Sequence, residues 1–486
     1  MSNLLASLRN SAEALNAFDQ VLQVTQNNVA NAGTPGYAKQ TQDLWAKPFD
    51  PNGGLAGGVK AGDIVSARNQ YAEQSVRQQT ALLGGAQQSI TSLTSLQSVF
   101  DVSDGAGIPS ALNGLFQSFS AWGQTPDSTV ARQTVLERAT DVANAFQRTA
   151  TGLGQVAQDT ESQLQQTVTQ VNQIVGQLQG FNKQILNGDR NDPGLDAEVN
   201  SLLEQLSQYI SFTAAPQADG SVTVLLNGQT ALLVGDKQYG ISFQMEQPDN
   251  PPPTYPDGPA KAHVLSAGGA DVTAATTGGQ LGALVNIRNN VLPSYIGDAY
   301  NAGSLNALAK QFAGRINDLL TGGNLDDGDP ANDVPPTKGV PLFTYDLNND
   351  TNVASTLAVS QTITPDQLAA IDPSTTPEVS NGIPLKLSGL ANPQDAVDQI
   401  DGQSYTEYYG GLASSIGSAL NAANNQQQVQ QSAVAQAQNL RQQLSGVNVD
   451  EEAMVVIQFQ RAYEANARLI TVLDQLTQDT INILNG

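Results

Sequence analysis

The 486-residue chain has no cysteine, a single histidine and few basic residues. Without cysteine there are no disulfide staples, no thiolate nucleophile and no zinc–thiolate site. One histidine, His263, cannot supply the two-histidine zinc motif or a histidine-rich metal cage. Lys and Arg number 21 against 45 Asp and Glu, a formal charge of −24. That is the wrong sign for gripping phosphates, so no nucleic-acid partner is expected. No apolar run approaches the ~18 residues that span a bilayer, so no membrane insertion is expected. The opening MSNLLASLRNSAEALNAF has no basic n-region followed by an apolar core and cleavage site, so a cleaved secretory signal is not expected either. Only 14% of residues are charged, while 40% are apolar. The remainder is largely Gln, Asn, Ser, Thr, Ala and Gly. Packed cores are possible, and the length suits about three domains.

The charge is unevenly placed. Residues 1–68 balance five basic against five acidic groups, and residues 446–486 hold two basic and six acidic ones. Most of the repulsive charge therefore lies between the two ends. Both ends read as amphipathic helices. Leu8, Leu15, Leu22 and Val29 recur every seven residues, with Leu4 and Phe18 beside them. Val455, Ala462, Leu469, Leu476 and Ile483 do the same, flanked by Phe459 and Leu473. A seven-residue repeat keeps one stripe facing a partner helix. Burying each Leu or Phe stabilises by about 1.5–3 kcal/mol, which can offset the ordering of two helices once neighbours complete the groove. Each end is expected to take a helical partner, in this chain or in a neighbouring copy. Asn27, Asn28, Asn31, Asn448 and Asn466 are short, neutral side chains suited to hydrogen bonding, while Asn31 and Asn448 also suit caps and turns.

After the first helix, Asn31–Tyr37 (NAGTPGY) stops the helix and turns the chain. Residues 50–62 are glycine-rich and read as a loop, and Lys60 lacks the GxxxxG and Ser/Thr neighbours of a phosphate cradle. From 70 to 210 the apolar spacing is helical, including a long seam through Leu164, Val168, Val171, Val175, Leu178 and Ile185. At 221 the period changes: SVTVLL, Asn227-Gly228 and QTALLV form a hairpin with a type I′ turn. ISFQM and KAHVLSAG continue a β-rich region around the rigid NPPPTYP excursion. Helical spacing returns over Leu281–Leu320 and again over Tyr405–Leu444. The fold class expected is mainly α with small inserted β domains (α+β), an elongated, rod-like multidomain chain. Residues 1–68 with 446–486 form a terminal coiled-coil part. Residues 69–210 with 283–321 and 403–445 form a helical bundle. Residues 211–282 are a β-rich insert, and 322–402 a second β- and loop-rich insert.

Two segments resemble the bacterial flagellar axial proteins, the rod, hook and hook-associated family. Gln26–Gln40, QNNVANAGTPGYAKQ, is similar to the family's NNxANxxTPGY element through Asn27, Asn28, Asn31, Thr34, Pro35, Gly36 and Tyr37. Gly33 stands where the family more often has a polar residue. Ser445–Leu484 is similar to the family's C-terminal helix through Ser445, Gly446, Asp450, Glu451, Glu452, Tyr463 and Asn466. The helical middle favours the hook-associated branch at the hook–filament junction. The resemblance implies a structural protein whose terminal helices pack into the inner tube, self-assembling into a ring or tube. It implies the hook protein and a second junction protein as neighbours. It also implies export through the flagellar type III apparatus to an extracellular position, with an export chaperone on the C-terminal helix.

Other constellations carry less. His263 lies in a predicted strand with no nucleophile motif beside it. Asp346, Asn348 and Asp350 open like a calcium loop, but Thr351 and Leu357 stand where Gly and Glu are needed. Asp326, Asp327, Asp329 and Asp333 read as a solvated loop, and Glu451 and Glu452 as charges complementing a helix dipole. Trp45 and Trp122 read as core or interface. No catalytic, cofactor-binding or metal site is expected. A hook or distal rod protein would require residues 70–210 to be largely β. An enzymatic or adhesive inserted domain would need a polar pocket or a binding surface in 211–282 or 326–402.

Overall fold

The computed structural model describes residues 2–48, 57–100, 107–188, 192–248, 251–326 and 335–485. Helix α1 (Ser2–Ala30) leads to the antiparallel hairpin β1 (Gln40–Ala46) and β2 (Val59–Ser66). Helices α2 (Gln70–Val99), α3 (Gly107–Gln124), α4 (Thr129–Asn187) and α5 (Pro193–Tyr209) follow. Then come β3 (Phe212–Pro216), β4 (Val222–Leu226), β5 (Thr230–Val234), β6 (Lys237–Gln238), β7 (Ser242–Glu246) and β8 (Lys261–Leu265). Helices α6 (Gly279–Asn286), α7 (Pro293–Ile296) and α8 (Ser304–Gly322) precede β9 (Phe343–Thr344), α9 (Val353–Thr356), β10 (Ala358–Val359) and α10 (Gly382–Gly389). The chain closes with α11 (Tyr405–Ser445) and α12 (Val449–Asn485). Long helices with small antiparallel sheets are the α+β class that the pattern predicts, and the described residues of 70–210 are largely helical. The acidic residues Asp327, Asp329 and Asp333, and residues 50–56 of the glycine-rich stretch, lie outside the described residues.

The chain divides into two compact units. The first takes residues 1–83, 171–240 and 429–486. Its four-stranded sheet has the order β3-β4-β5-β6. Asn227 (φ 47°) and Gly228 (φ 70°) make the expected left-handed turn between β4 and β5. Asn182 of α4 fastens this sheet: its amide donates to the carbonyls of Val222 and Gly235 at 2.9 and 2.7 Å and accepts from the Val222 N–H at 3.0 Å. Helix α5 starts on Pro193, with the Asp192 carboxylate accepting from the N–H groups of Gly194 and Leu195.

The second unit takes residues 84–170 and 241–428. Its core centres on Phe312, whose ring meets Phe116, Phe146, Phe343 and Tyr405 at centroid distances of 5.4–6.3 Å. Trp122 is fully buried there, its indole N–H donating to the Pro126 carbonyl. The helical spacing over 281–320 is realised as several helical pieces rather than one. A π-helical turn occupies Ile287–Val291, and Gly297 and Gly303 take positive φ before α8 starts. The turn lets the Arg288 guanidinium reach Glu161 at 2.9 and 3.1 Å. It also lets the Asn289 amide bond both backbone groups of Ala262. Pro293 then lacks the N–H that a continuous helix would use. Strands β7 and β8 form a two-stranded antiparallel sheet. In the loop that opens like a calcium site, both oxygens of Asp350 accept from Lys310 at 2.7 and 2.8 Å. His263 sits half-buried on β8 with Nδ1 2.8 Å from Asp271.

Candidate functional site

Helices α1 and α12 pack side by side within the first unit. The face of α1 that the unit covers runs through Ser11, Ala17, Val21, Thr25 and Asn28. Phe18 meets Phe459 at 5.8 Å, and the Asn466 amide donates to the Ser11 carbonyl at 3.1 Å. Of the heptad residues, Leu8, Leu15 and Leu22 are half-buried and Val29 is exposed. On α12, Val455, Phe459 and Leu473 are half-buried, whereas Leu469, Leu476 and Ile483 are exposed. A straight helix drifts about 20° per heptad from a strict seven-residue repeat. The stripe that begins inward at Val455 has therefore turned outward by Leu469. Leu476 is 49% exposed and Ile483 81%, with Met454, Ile457 and Val472 also on the surface.

One end of the pair is a buried polar junction in which the two sequence signatures meet. Asn28, 1% exposed, accepts from the Gln40 N–H and the Tyr37 hydroxyl, both at 2.9 Å. Its amide donates to the Gln40 carbonyl at 2.8 Å and to Glu452 at 2.9 Å. Glu452, 2% exposed, also holds the Lys39 ammonium at 2.8 Å, with Glu451 at 3.6 Å. The hydrogen bond to Glu452 raises the Lys39 pKa above its usual value. Burial raises that of the Tyr37 hydroxyl, with Glu452 adding to the effect. Buried Ser445 accepts from the Lys39 N–H through its carbonyl and from the Asn69 N–H through its hydroxyl, both at 2.9 Å. Buried charges persist when paired and bonded in this way, and such a knot can fix the register of two helices.

The remaining signature residues build the approach to this junction. Asn31 donates to Asn27 and accepts from Thr34, a local turn at the end of α1. Thr34 and Pro35 stand exposed beside the start of α5. Gly36 (φ +75°) lies against α5 so closely that a Cβ would sit 2.3 Å from the Ala197 carbonyl, so both space and conformation require glycine. The Gly446 N–H closes α11 on the Gln442 carbonyl, and Asn448 accepts from the Asp450 N–H at the head of α12. Asp450, Glu451 and Glu452 all lie in that first turn, as a helix dipole favours. Tyr463 is on the surface.

Several residues of the site escaped the sequence reading. Lys39 and Gln40 lie two and three residues beyond the TPGY element, so nearness was an available signal. The Arg68 guanidinium binds Glu73 and Asp196, each at 2.6 Å, and the Gly36 carbonyl. Arg441 joins Glu73 to Glu204 at 3.3 and 2.7 Å. Nothing in the spacing of residues 68, 196 and 441 announces their meeting.

Three family models match the chain. Residues 93–334 match the flagellar hook-associated protein FlgK helical domain. Residues 438–483 match the flagellar basal body rod FlgEFG protein C-terminal family, and residues 8–37 the flagella basal body rod protein family. Flagellar hook-associated protein 1 of Bacillus subtilis (strain 168) is 25% identical, covering 99% of both chains. The chain belongs to the flagellar hook-associated protein 1 family. The Escherichia coli (strain K12) member is 21% identical over 99% of this chain and 100% of its own length. The fold also resembles the flagellar hook junction protein FlgK from Burkholderia pseudomallei, with a TM-score of 0.60 at 16% identity. That likeness covers 76% of this chain and 99% of the other. In family terms, the polar junction joins the segments matched by the two rod-protein models, which are more than 400 residues apart.

Proposed function

We propose that this chain is the structural subunit of the hook–filament junction, polymerising through its paired terminal helices. Membership of the hook-associated protein 1 family, whose members are flagellar structural proteins, supports this reading. One observation carries the mechanism: α12 covers one face against α1 and leaves a second apolar face, through Met454, Leu469, Val472, Leu476 and Ile483, on the surface. A monomer leaves such apolar side chains, densest from Leu469 to Ile483, in water at a penalty, and neighbouring copies remove it. Residues 1–68 with 446–486 would thus form the assembling part, in a ring or tube. The hook protein and a second junction protein would be its neighbours. The remaining helical segments and the inserts at 211–282 and 322–402 would lie outside that contact. No step of this role calls for catalysis. Export through the flagellar type III apparatus, without a cleaved signal, places the chain outside the cell. An export chaperone would cover the outer stripe of α12 before assembly by helix-in-groove packing.

The test is removal of residues 446–486 followed by electron microscopy of the cells. Hooks without filaments, with flagellin lost to the medium, are expected. Normal filaments would refute the assignment.

A further inference from the structure

The β1–β2 hairpin has one face turned to α1 and one turned away. Strand alternation puts Gln40, Gln42 and Leu44 inward; Gln42 reaches Gln20, and Lys47 beyond the strand pairs with Glu13 of α1. Thr41, Asp43, Trp45, Lys60 and Val65 are exposed on the outward face. Trp45 is 61% exposed and yet held in place, because its indole lies over Gly62. A Cβ at Gly62 would come within 2.7 Å of the indole nitrogen. A fixed, exposed tryptophan opposite Lys60 is the form of a binding anchor, and Val65, opposite Thr41, lies further along the same face. Asp43 at this face and Asp63 in the adjoining bulge make no ion pair among the described residues.

The outer face of α12 complements it. Met454, Ile457 and Leu469 are exposed and apolar, and Met454 offers a polarizable thioether to an aromatic ring. Arg461 and Arg468, exposed and two turns apart (about 10.5 Å), make no ion pair among the described residues. Glu464 lies between them in sequence, as a counterpart for Lys60. Both faces turn away from α1.

We infer that the outward face of the hairpin docks on the outer face of α12 of a second copy of this chain. Trp45 and Val65 meet Met454, Ile457 and Leu469, and Asp43 and Asp63 meet Arg461 and Arg468. This rests on the assembly reading above and names its partner surface. Two different patches in contact make a heterologous, head-to-tail interface, which closes a ring or propagates a helix.

The absence of native cysteine makes the test clean. Cells expressing the full-length Asp43→Cys/Arg461→Cys chain are treated with a short bis-maleimide, and junction protein is recovered from their flagella. Cross-linked multimers are expected from the double variant and none from either single variant. Cells that build filaments without cross-links would overturn this pairing and leave the assembly reading intact. Multimers from a single variant would mean that a face meets its own kind, which also overturns it. A charge exchange supplies the second measurement. Asp43→Arg/Asp63→Arg, or Arg461→Asp/Arg468→Asp, should each lower the number of filament-bearing cells about tenfold, and the combination should restore it. Combined reversals no better than either alone, at equal secreted amounts, would overturn the proposal.

Discussion

The body around Phe312 and the terminal pair α1–α12 treat their large apolar side chains in opposite ways. The first encloses Phe312, Trp122, Phe119, Phe146 and Tyr405 almost completely. The second buries mainly small and polar groups, Ser11, Ala17, Thr25, Asn28 and Glu452, and leaves Leu469, Leu476 and Ile483 outside. A core so closed stabilises its own unit. A helix pair so open is a folded element with its packing unfinished. The two helices also differ from each other: the exposed positions of α1 are mostly polar, among them Arg9, Asn16, Gln23 and Gln26 beside Leu5 and Val29, while α12 exposes Met454, Ile457, Leu469, Val472, Leu476 and Ile483 around Arg461 and Arg468. The larger exposed apolar surface therefore lies on α12.

Substitutions should separate the two regions. The largest effect on the isolated chain is expected from Phe312→Ala, which leaves a cavity at the meeting point of four rings and costs about 3–5 kcal/mol. Chemical denaturation measures it, and a loss below 1 kcal/mol would contradict a closed core. Glu452→Ala strands the Asn28 amide and the Lys39 ammonium and should cost about 2–3 kcal/mol within the terminal pair. Hydrogen exchange of α12 reads that locally, and unchanged protection would sink the register role.

Alkali gives a third contrast. Burial pushes the Tyr405 hydroxyl up to about 12 from 10.0, with Asp398 adding to the rise. The folded state then holds its proton more tightly than the unfolded state does. The stability it confers is whole below pH 10 and is lost as pH climbs toward 12. Two pH units correspond to roughly 3 kcal/mol. The hydroxyl has no hydrogen-bond partner among the described residues, so Tyr405→Phe should be near neutral at pH 7 and should flatten the alkaline limb. An unchanged alkaline transition would remove Tyr405 from the account.

The smallest effect on the isolated chain is the most telling. Leu476→Ser should change its stability by less than about 0.5 kcal/mol, since the side chain is already half in water. In cells the same change, combined with Leu469→Ser, should reduce filament attachment sharply. A large loss of monomer stability, with filaments intact, would reverse the comparison.

Much of this was legible beforehand. The Asn27-to-Tyr37 and Ser445-to-Glu452 elements named the family, and both terminal helices and the Asn227-Gly228 hairpin lie where the pattern puts them. Apolar counting found the leucine stripe of α1 but not the seam beside it, because that seam uses Ser11, Thr25 and Asn28. On α12 it could not separate Val455 from Leu476, which share a heptad position and differ only through helical drift. The helical spacing over 281–320 did not show the interruption at the turn holding Arg288 and Asn289, whose partners Glu161 and Ala262 lie outside that span.

Local periodicity, turn chemistry and composition belong to the sequence, because each depends on neighbours a few residues away. They determined the helical character, the charge-poor and cysteine-free makeup and the two terminal signatures. Tertiary structure alone decided that Asn28 meets Glu452 across 424 positions, and that Arg68, Glu73, Asp196, Glu204 and Arg441 share one network. It also decided which face of α12 stays open. Those outcomes depend on how distant segments are rotated and brought together, and no short-range pattern encodes a rotation.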